Sequence, residues 1–205
     1  MTNKLRLGFL ASHGGTNLQA ILDACAASRL HAEPRVVISN NSASGALDRA
    51  RRAGVAAIYL SGRTHPDAEE LDQAICAALT ENGAEVVCLC GYMKRLGKST
   101  LSTFDGRILN IHPALLPKFG GQGFYGEAVH VAVLAAGERE SGATVHLVDA
   151  EYDTGPIIAQ KTVPVLADDT PADLAARVLS QEHLLYAETL QRIAAGEIEL
   201  PGSER

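Results

Sequence analysis

Leu5-Arg6-Leu7-Gly8-Phe9-Leu10-Ala11-Ser12-His13-Gly14-Gly15-Thr16-Asn17-Leu18-Gln19-Ala20-Ile21-Leu22 holds the architecture of the whole chain in miniature. Leu5 to Ala11 is a mainly apolar run of strand length and Ser12 to Thr16 is a turn. From Asn17 to Ser28 apolar residues recur every three or four positions, as on one face of a helix. A strand, a glycine turn and a helix form the first half of a βαβ unit. The alternation continues down the chain. Strands are expected at Arg35–Ser39, Val55–Leu60, Glu85–Cys90, Arg107–Ile111, Ala143–Val148 and Ile157–Val165. Helices are expected at Ala43–Ala53, Pro66–Glu81, Ser99–Phe104, Tyr125–Ala136 and Pro171–Ala195. The expected fold is therefore α/β, a doubly wound, mostly parallel sheet with a partly antiparallel C-terminal third. Ligands of such sheets sit beyond the carboxyl ends of the strands.

The 205 residues suffice for one substantial core, so residues 1–200 read as a single domain and 201–205 as a frayed tail. Eighteen Lys and Arg against 24 Asp and Glu leave a formal charge of −6, which argues against gripping nucleic acid by its phosphates. The opening Met1-Thr2-Asn3-Lys4 has no export-signal pattern, and the longest apolar run, Val86 to Cys90, is too short to span a bilayer. A cytoplasmic protein without membrane partners is expected. Cys25, Cys76, Cys88 and Cys90 lie in apolar segments and read as buried, reduced thiols; no His, Cys or Asp cluster has metal-ligand spacing, so no metal is expected.

Three segments carry chemistry. The turn Ser12-His13-Gly14-Gly15-Thr16-Asn17 combines flexible backbone, hydroxyls and a helix N-terminus, which suits a single small phosphate or else a plain turn capped by Thr16 or Asn17. It lacks the dinucleotide and Walker spacings. In Asn110-Ile111-His112-Pro113, the two polar side chains are two apart in an extended segment and project to the same side, an amide donor beside an imidazole. Asn suits a developing oxyanion and His suits proton transfer near neutral pH. The acidic stretch Asp149-Ala150-Glu151-Tyr152-Asp153-Thr154-Gly155-Pro156 reads either as turn chemistry or as the source of a carboxylate for His112. His146 reads as a satisfied sheet histidine, and Glu182 as a solvated carboxylate on a helix where Leu179, Leu184, Leu185 and Tyr186 pack.

Taken together, Ser12-x-Gly-Gly-Thr-Asn17, Gly91-Tyr-Met-Lys-Arg-Leu96, Asn110-Ile-His-Pro-Ala-Leu-Leu-Pro117 and Asp153-Thr-Gly-Pro156 resemble the folate-dependent phosphoribosylglycinamide formyltransferases over nearly the whole chain. The resemblance implies a Rossmann-like formyltransferase fold. It implies transfer of a formyl group from 10-formyltetrahydrofolate to the amine of 5′-phosphoribosylglycinamide, a step of purine synthesis catalysed by a monomer or homodimer. It assigns Asn110, His112 and Asp153 to catalysis, with Asp153 raising the pKa of His112. Gly15, Thr16 and Asn17 match the substrate-phosphate loop, and Glu182, beside Leu179, Ser180 and Gln181, matches the carboxylate that holds the ribonucleotide. Met93, Lys94, Arg95 and Leu96 match one folate-enclosing segment; Asp149, Ala150, Glu151, Tyr152 and Asp153, with Asn110, match the other.

The chain departs from the family pattern at three places. Lys94 stands where Arg is frequent, which keeps charge and loses a planar fork. Ala68 occupies the place of an Arg that reaches the folate in some members. The segment Gly120 to Gly126 is unusually long and glycine-rich, as a mobile lid or a surface insertion would be. The alternatives are a formyltetrahydrofolate hydrolase, in which water replaces the amine, and a non-catalytic phosphate-binding module.

Overall fold

The computed structural model describes residues 4–202. Strand β1 (Leu5–Ala11) forms because its side chains are buried on both faces, as a central parallel strand requires; Leu7, Phe9 and Leu10 have no exposed surface. Each such side chain contributes about 1.5–3 kcal/mol through burial. The chain continues through α1 (Thr16–Ala26), β2 (Ala32–Ser39), α2 (Gly45–Arg52), β3 (Ala56–Tyr59), α3 (Ala68–Glu81), β4 (Val86–Leu89), α4 (Lys98–Thr103) and β5 (Ile108–His112). It ends with α5 (Glu127–Ala135), β6 (Glu140–Leu147), β7 (Ile157–Pro164) and α6 (Pro171–Ala194). The strand order is β3-β2-β1-β4-β5-β6-β7; β1 runs parallel to β2 and β4, β2 parallel to β3, and β6 antiparallel to β7. This is the doubly wound, mostly parallel sheet with an antiparallel end that the apolar alternation predicts.

The residues gather into two compact units. The first comprises Met1–Leu109 and Leu190–Arg205, as far as these are described, and the second Asn110–Thr189. In the first, α2 begins where Ser44 Oγ accepts from Leu47 N, and α3 where Asp67 accepts from Glu69 N and Glu70 N, both ordinary N-caps. Pro201 and Gly202 form a turn against Gly106 rather than a frayed end, and the rest of the expected tail, 203–205, lies outside the described residues, as do Met1, Thr2 and Asn3. The four cysteines form no disulfide among the described residues, but only Cys88 and Cys90 are buried; Cys25 and Cys76 are half-buried, because each lies on the flank of its helix rather than its inner face. Among the described residues no helix is long and apolar enough to cross a membrane.

In the second unit the long helix α6 corrects two expectations. Leu184 is 45% exposed, whereas Glu182 is buried with Val178, Leu185 and Tyr186. The 3.6-residue period explains both: 178, 182, 185 and 189 fall on one stripe, and 184 falls outside it.

Candidate active site

The first unit presents a backbone site. Gly15 adopts φ 69°, ψ 41°, and is itself the N-cap of α1, with no side chain accepting from the first turn; Thr16 and Asn17 lie inside the helix instead of capping it. A Cβ on Gly15 would come within 2.9 Å of Ala46 Cβ, so both its left-handed backbone and its close neighbour require glycine. An uncapped helix N-terminus leaves backbone N–H groups available to an anion.

The segment that carries Met93, Lys94, Arg95 and Leu96 is pinned from both sides within the same unit. Buried Ser12 donates its backbone N–H to the Gly91 carbonyl (3.0 Å), and its Oγ accepts from Met93 N (2.8 Å). At the far end Asp72, 5% exposed on α3, accepts from Gly97 N, Ser99 N and the Thr100 hydroxyl (3.1, 2.7 and 2.6 Å). Gly97 is needed because a Cβ there would collide with the Asp72 carboxylate. Burial and the Asp72 charge push the nearby Tyr92 hydroxyl up to about 12. Between these anchors Met93, Lys94 and Arg95 are exposed.

The second unit presents a side-chain site. Asn110 and His112 leave β5, His146 leaves β6, and Asp153 follows in the loop before β7 at φ 57°, a left-handed conformation that Asp tolerates better than most residues. His112 Nε2 donates to the Phe119 carbonyl (2.8 Å), while Nδ1 lies 3.5 Å from Asp153 Oδ2. His146 Nδ1 donates to the Leu147 carbonyl (2.8 Å), which leaves its Nε2 to accept from Asn110 Nδ2 (3.1 Å) and to face Asp153 Oδ1 at 3.4 Å. Gly121 N donates to Asp153 Oδ2 at 2.9 Å. One carboxylate is thus flanked by two buried imidazoles and a loop amide.

These contacts oppose burial. Burial holds His112 below its usual 6.5; the Asp153 charge and the Phe119 carbonyl push upward, and the expected raising by Asp153 is present but outweighed. For Asp153, burial is the largest single influence and favours the acid form. His146, His112 and the Gly121 amide together outweigh it and hold the carboxyl below 3.8. Buried His130 on α5 has an Nδ1 without a partner among the described residues, and burial followed by the His112 charge lowers its pKa.

The structure therefore brings Asn110, His112 and Asp153 together as the sequence predicts, and adds His146. His146 is the satisfied sheet histidine the sequence predicts, and its Nε2 also lies between Asn110 and Asp153. The rest of the acidic segment is exposed at Asp149, Ala150, Glu151 and Tyr152, with Asp149 Oδ1 accepting from Glu151 N and the Thr154 hydroxyl (2.9 Å each). On α6, Leu179 and Gln181 are half-buried, Ser180 is exposed with its hydroxyl donated to the Ala176 carbonyl, and Glu182 is buried rather than solvated. Among the described residues, no three His, Cys, Asp or Glu side chains gather as metal ligands.

A model of the formyl transferase family matches residues 5–190. The chain is 41% identical over 198 residues to a chloroplastic phosphoribosylglycinamide formyltransferase of Vigna unguiculata, covering 94% of this chain and 62% of that protein. It is 38% identical over 191 residues to the phosphoribosylglycinamide formyltransferase of Escherichia coli (strain K12), covering 93% and 88%. Its fold is similar to a crystal structure of glycinamide ribonucleotide transformylase 1 from Symbiobacterium toebii, with TM-score 0.91, 42% identity, and coverage of 98% of this chain and 93% of that one. The chain spans less than two thirds of the length of the chloroplastic relatives, 62% and 66%.

Proposed function

This chain belongs to the phosphoribosylglycinamide formyltransferase branch of the formyl transferase family, and we propose that it moves a formyl group from 10-formyltetrahydrofolate to the amine of 5′-phosphoribosylglycinamide. The products are formylglycinamide ribonucleotide and tetrahydrofolate. The amine nitrogen bonds to the formyl carbon, a tetrahedral oxyanion forms, and the bond from that carbon to the folate nitrogen breaks.

The observation that carries this reading is the Asn110–His146–Asp153–His112 cluster. Asn110 keeps a second amide N–H beyond the one given to His146, and His112 carries a proton on Nε2, so both are donors for the oxyanion. His112 takes up a proton at Nδ1 and becomes an imidazolium that Asp153 stabilises, then surrenders a proton from Nε2 toward the departing nitrogen. The Phe119 carbonyl holds that Nε2 proton in the resting protein.

Binding roles follow the family motifs. Gly15, Thr16 and Asn17 receive the substrate phosphate, and Glu182, with Leu179, Ser180 and Gln181, holds the ribonucleotide. Met93 to Leu96 and Asp149 to Asp153 enclose the folate, with Lys94 supplying charge where an Arg is frequent and Ala68 supplying no contact. The match over 5–190 supports reading 1–200 as one formyltransferase module, and four cysteines outside any disulfide support a reducing, cytoplasmic setting. The partners on this reading are the two small molecules, with the protein acting as a monomer or homodimer.

The test is donor consumption with and without acceptor. Purified protein is expected to consume 10-formyltetrahydrofolate only when 5′-phosphoribosylglycinamide is present, one formyl per acceptor. Consumption without acceptor makes the protein a hydrolase, and no consumption in either condition overturns both readings.

A further inference from the structure

The turn assigned to the phosphate is shaped by α2, a helix with no assigned role. Two consecutive carbonyls of the turn point at that helix: His13 O accepts from Ala46 N at 3.1 Å, and Gly14 O accepts from Arg49 Nε at 2.8 Å. Arg49 is fixed in turn, because its Nη1 donates to Gln19 Oε1 (2.9 Å) while Gln19 Nε2 donates to Asp23 Oδ1 (2.7 Å), both on α1. In a planar trans peptide the C=O and the next N–H are antiparallel. Turning the His13 and Gly14 carbonyls toward α2 therefore turns the Gly14 and Gly15 N–H groups away from it, to the side left open by the uncapped start of α1. Among the described residues the N–H groups of Gly14, Gly15 and Thr16 have no acceptor.

We propose that Arg49 is a positioning residue for phosphate recognition: by holding the Gly14 carbonyl it aims the Gly15 N–H into the anion cradle and adds positive charge one peptide away. Arg49 thereby acts on the phosphate through the Gly14–Gly15 peptide and not by touching it. Nη1 is committed to Gln19 and Nε to Gly14, so the guanidinium serves as a two-point clamp between α1 and the turn. A lysine has one compact donor group and cannot hold both acceptors in this fork geometry. The proposal rests on the assignment of the substrate phosphate to this turn, and its test separates the two.

The first measurement is a titration with inorganic phosphate, followed by the backbone amide resonances of Gly14, Gly15 and Thr16. The wild-type protein is expected to show a saturable shift of the Gly15 amide. Arg49→Ala should weaken that binding about tenfold, the scale of one hydrogen bond from a charged group, and Arg49→Lys should recover only part of it. The second measurement compares the ribonucleotide acceptor with its dephosphorylated riboside. Arg49→Ala is expected to raise KM for the phosphorylated acceptor about tenfold at unchanged kcat and to leave KM for the riboside unchanged.

A wild-type Gly15 amide that ignores phosphate overturns the turn assignment itself, and the Arg49 proposal with it. Wild-type binding that persists undiminished in Arg49→Ala, or equal losses for the phosphorylated and dephosphorylated acceptors, overturns the Arg49 role alone. If Arg49→Ala is poorly folded, Arg49→Met, which keeps an unbranched apolar stem but has no donor and no charge, takes its place, and the same two readings decide.

Discussion

The two units offer contrasting kinds of site. In the first, the groups available to a ligand belong to the backbone: the Gly14–Gly15 turn, the uncapped start of α1, and the 91–97 segment pinned by Ser12 and Asp72. In the second they are side chains, Asn110, His112, His146 and Asp153, each polarised by the next. Backbone N–H groups carry fixed partial charges that do not titrate, so on the proposed reading the first site holds its anion whatever the pH. In the second, the protonation of His112 and of Asp153 depends on burial and on each other, which is what moving a proton requires. On the proposed reading the difference teaches a division of labour: rigid dipoles hold the phosphate, and coupled titratable groups do the chemistry.

The sharpest way to break that contrast is to disarm the second unit. His112→Ala and Asp153→Asn are each expected to lower kcat by at least about a hundredfold, the scale of an acid/base or electrostatic group. KM for the ribonucleotide should change little, and steady-state kinetics at saturating donor will read both. His146→Ala is expected to cost less, about tenfold in kcat, because it removes one hydrogen bond that orients Asn110 and one imidazole beside Asp153.

The opposite intervention lies in the first unit. Asp72→Ala removes the acceptor for four donors at the start of α4, and is expected to destabilise the protein by about 1–3 kcal/mol in thermal or denaturant unfolding. The folate KM should rise while kcat at saturation stays near normal. A kcat loss comparable to that of His112→Ala would contradict the division of labour.

The smallest effect concerns pH. Because burial lowers the folded-state pKa of His112, its imidazole is expected to titrate below 6.5 by NMR, and Asp153→Asn should move the midpoint lower still by removing the charge that opposes burial. The unfolded chain then binds more protons than the folded one between the two values. Stability should therefore fall as pH drops from 6.5 through the folded midpoint, and pH-dependent melting curves will test this.

How much of this was legible in the sequence depends on how local each signal is. The order of strands and helices was readable because apolar runs and 3.6-residue stripes are local properties. The start of β2 was not, because Ala32, Glu33 and Pro34 are held in the strand by pairing with Leu5, Arg6 and Leu7 of β1, a partner far away in sequence. Asn110 and His112 could be paired by strand parity. His146 could not, since the partner that gives it meaning lies on neighbouring β5 and only the sheet order reveals that. Burial of Glu182 did leave a signal, its spacing of four from both Val178 and Tyr186, which the expectation of a solvated carboxylate overrode. The cap of α1 is not legible either, because a left-handed glycine in the cap position leaves no side-chain signature.

The central claim is that His112 and Asp153 act as one unit, and the double variant His112→Ala/Asp153→Asn tests it most directly. If they do, its kcat lies within about threefold of the poorer single variant, as for groups whose contributions are non-additive. If the two losses multiply, to about ten-thousandfold for two losses of about a hundredfold, the residues act independently and the account of the site is wrong.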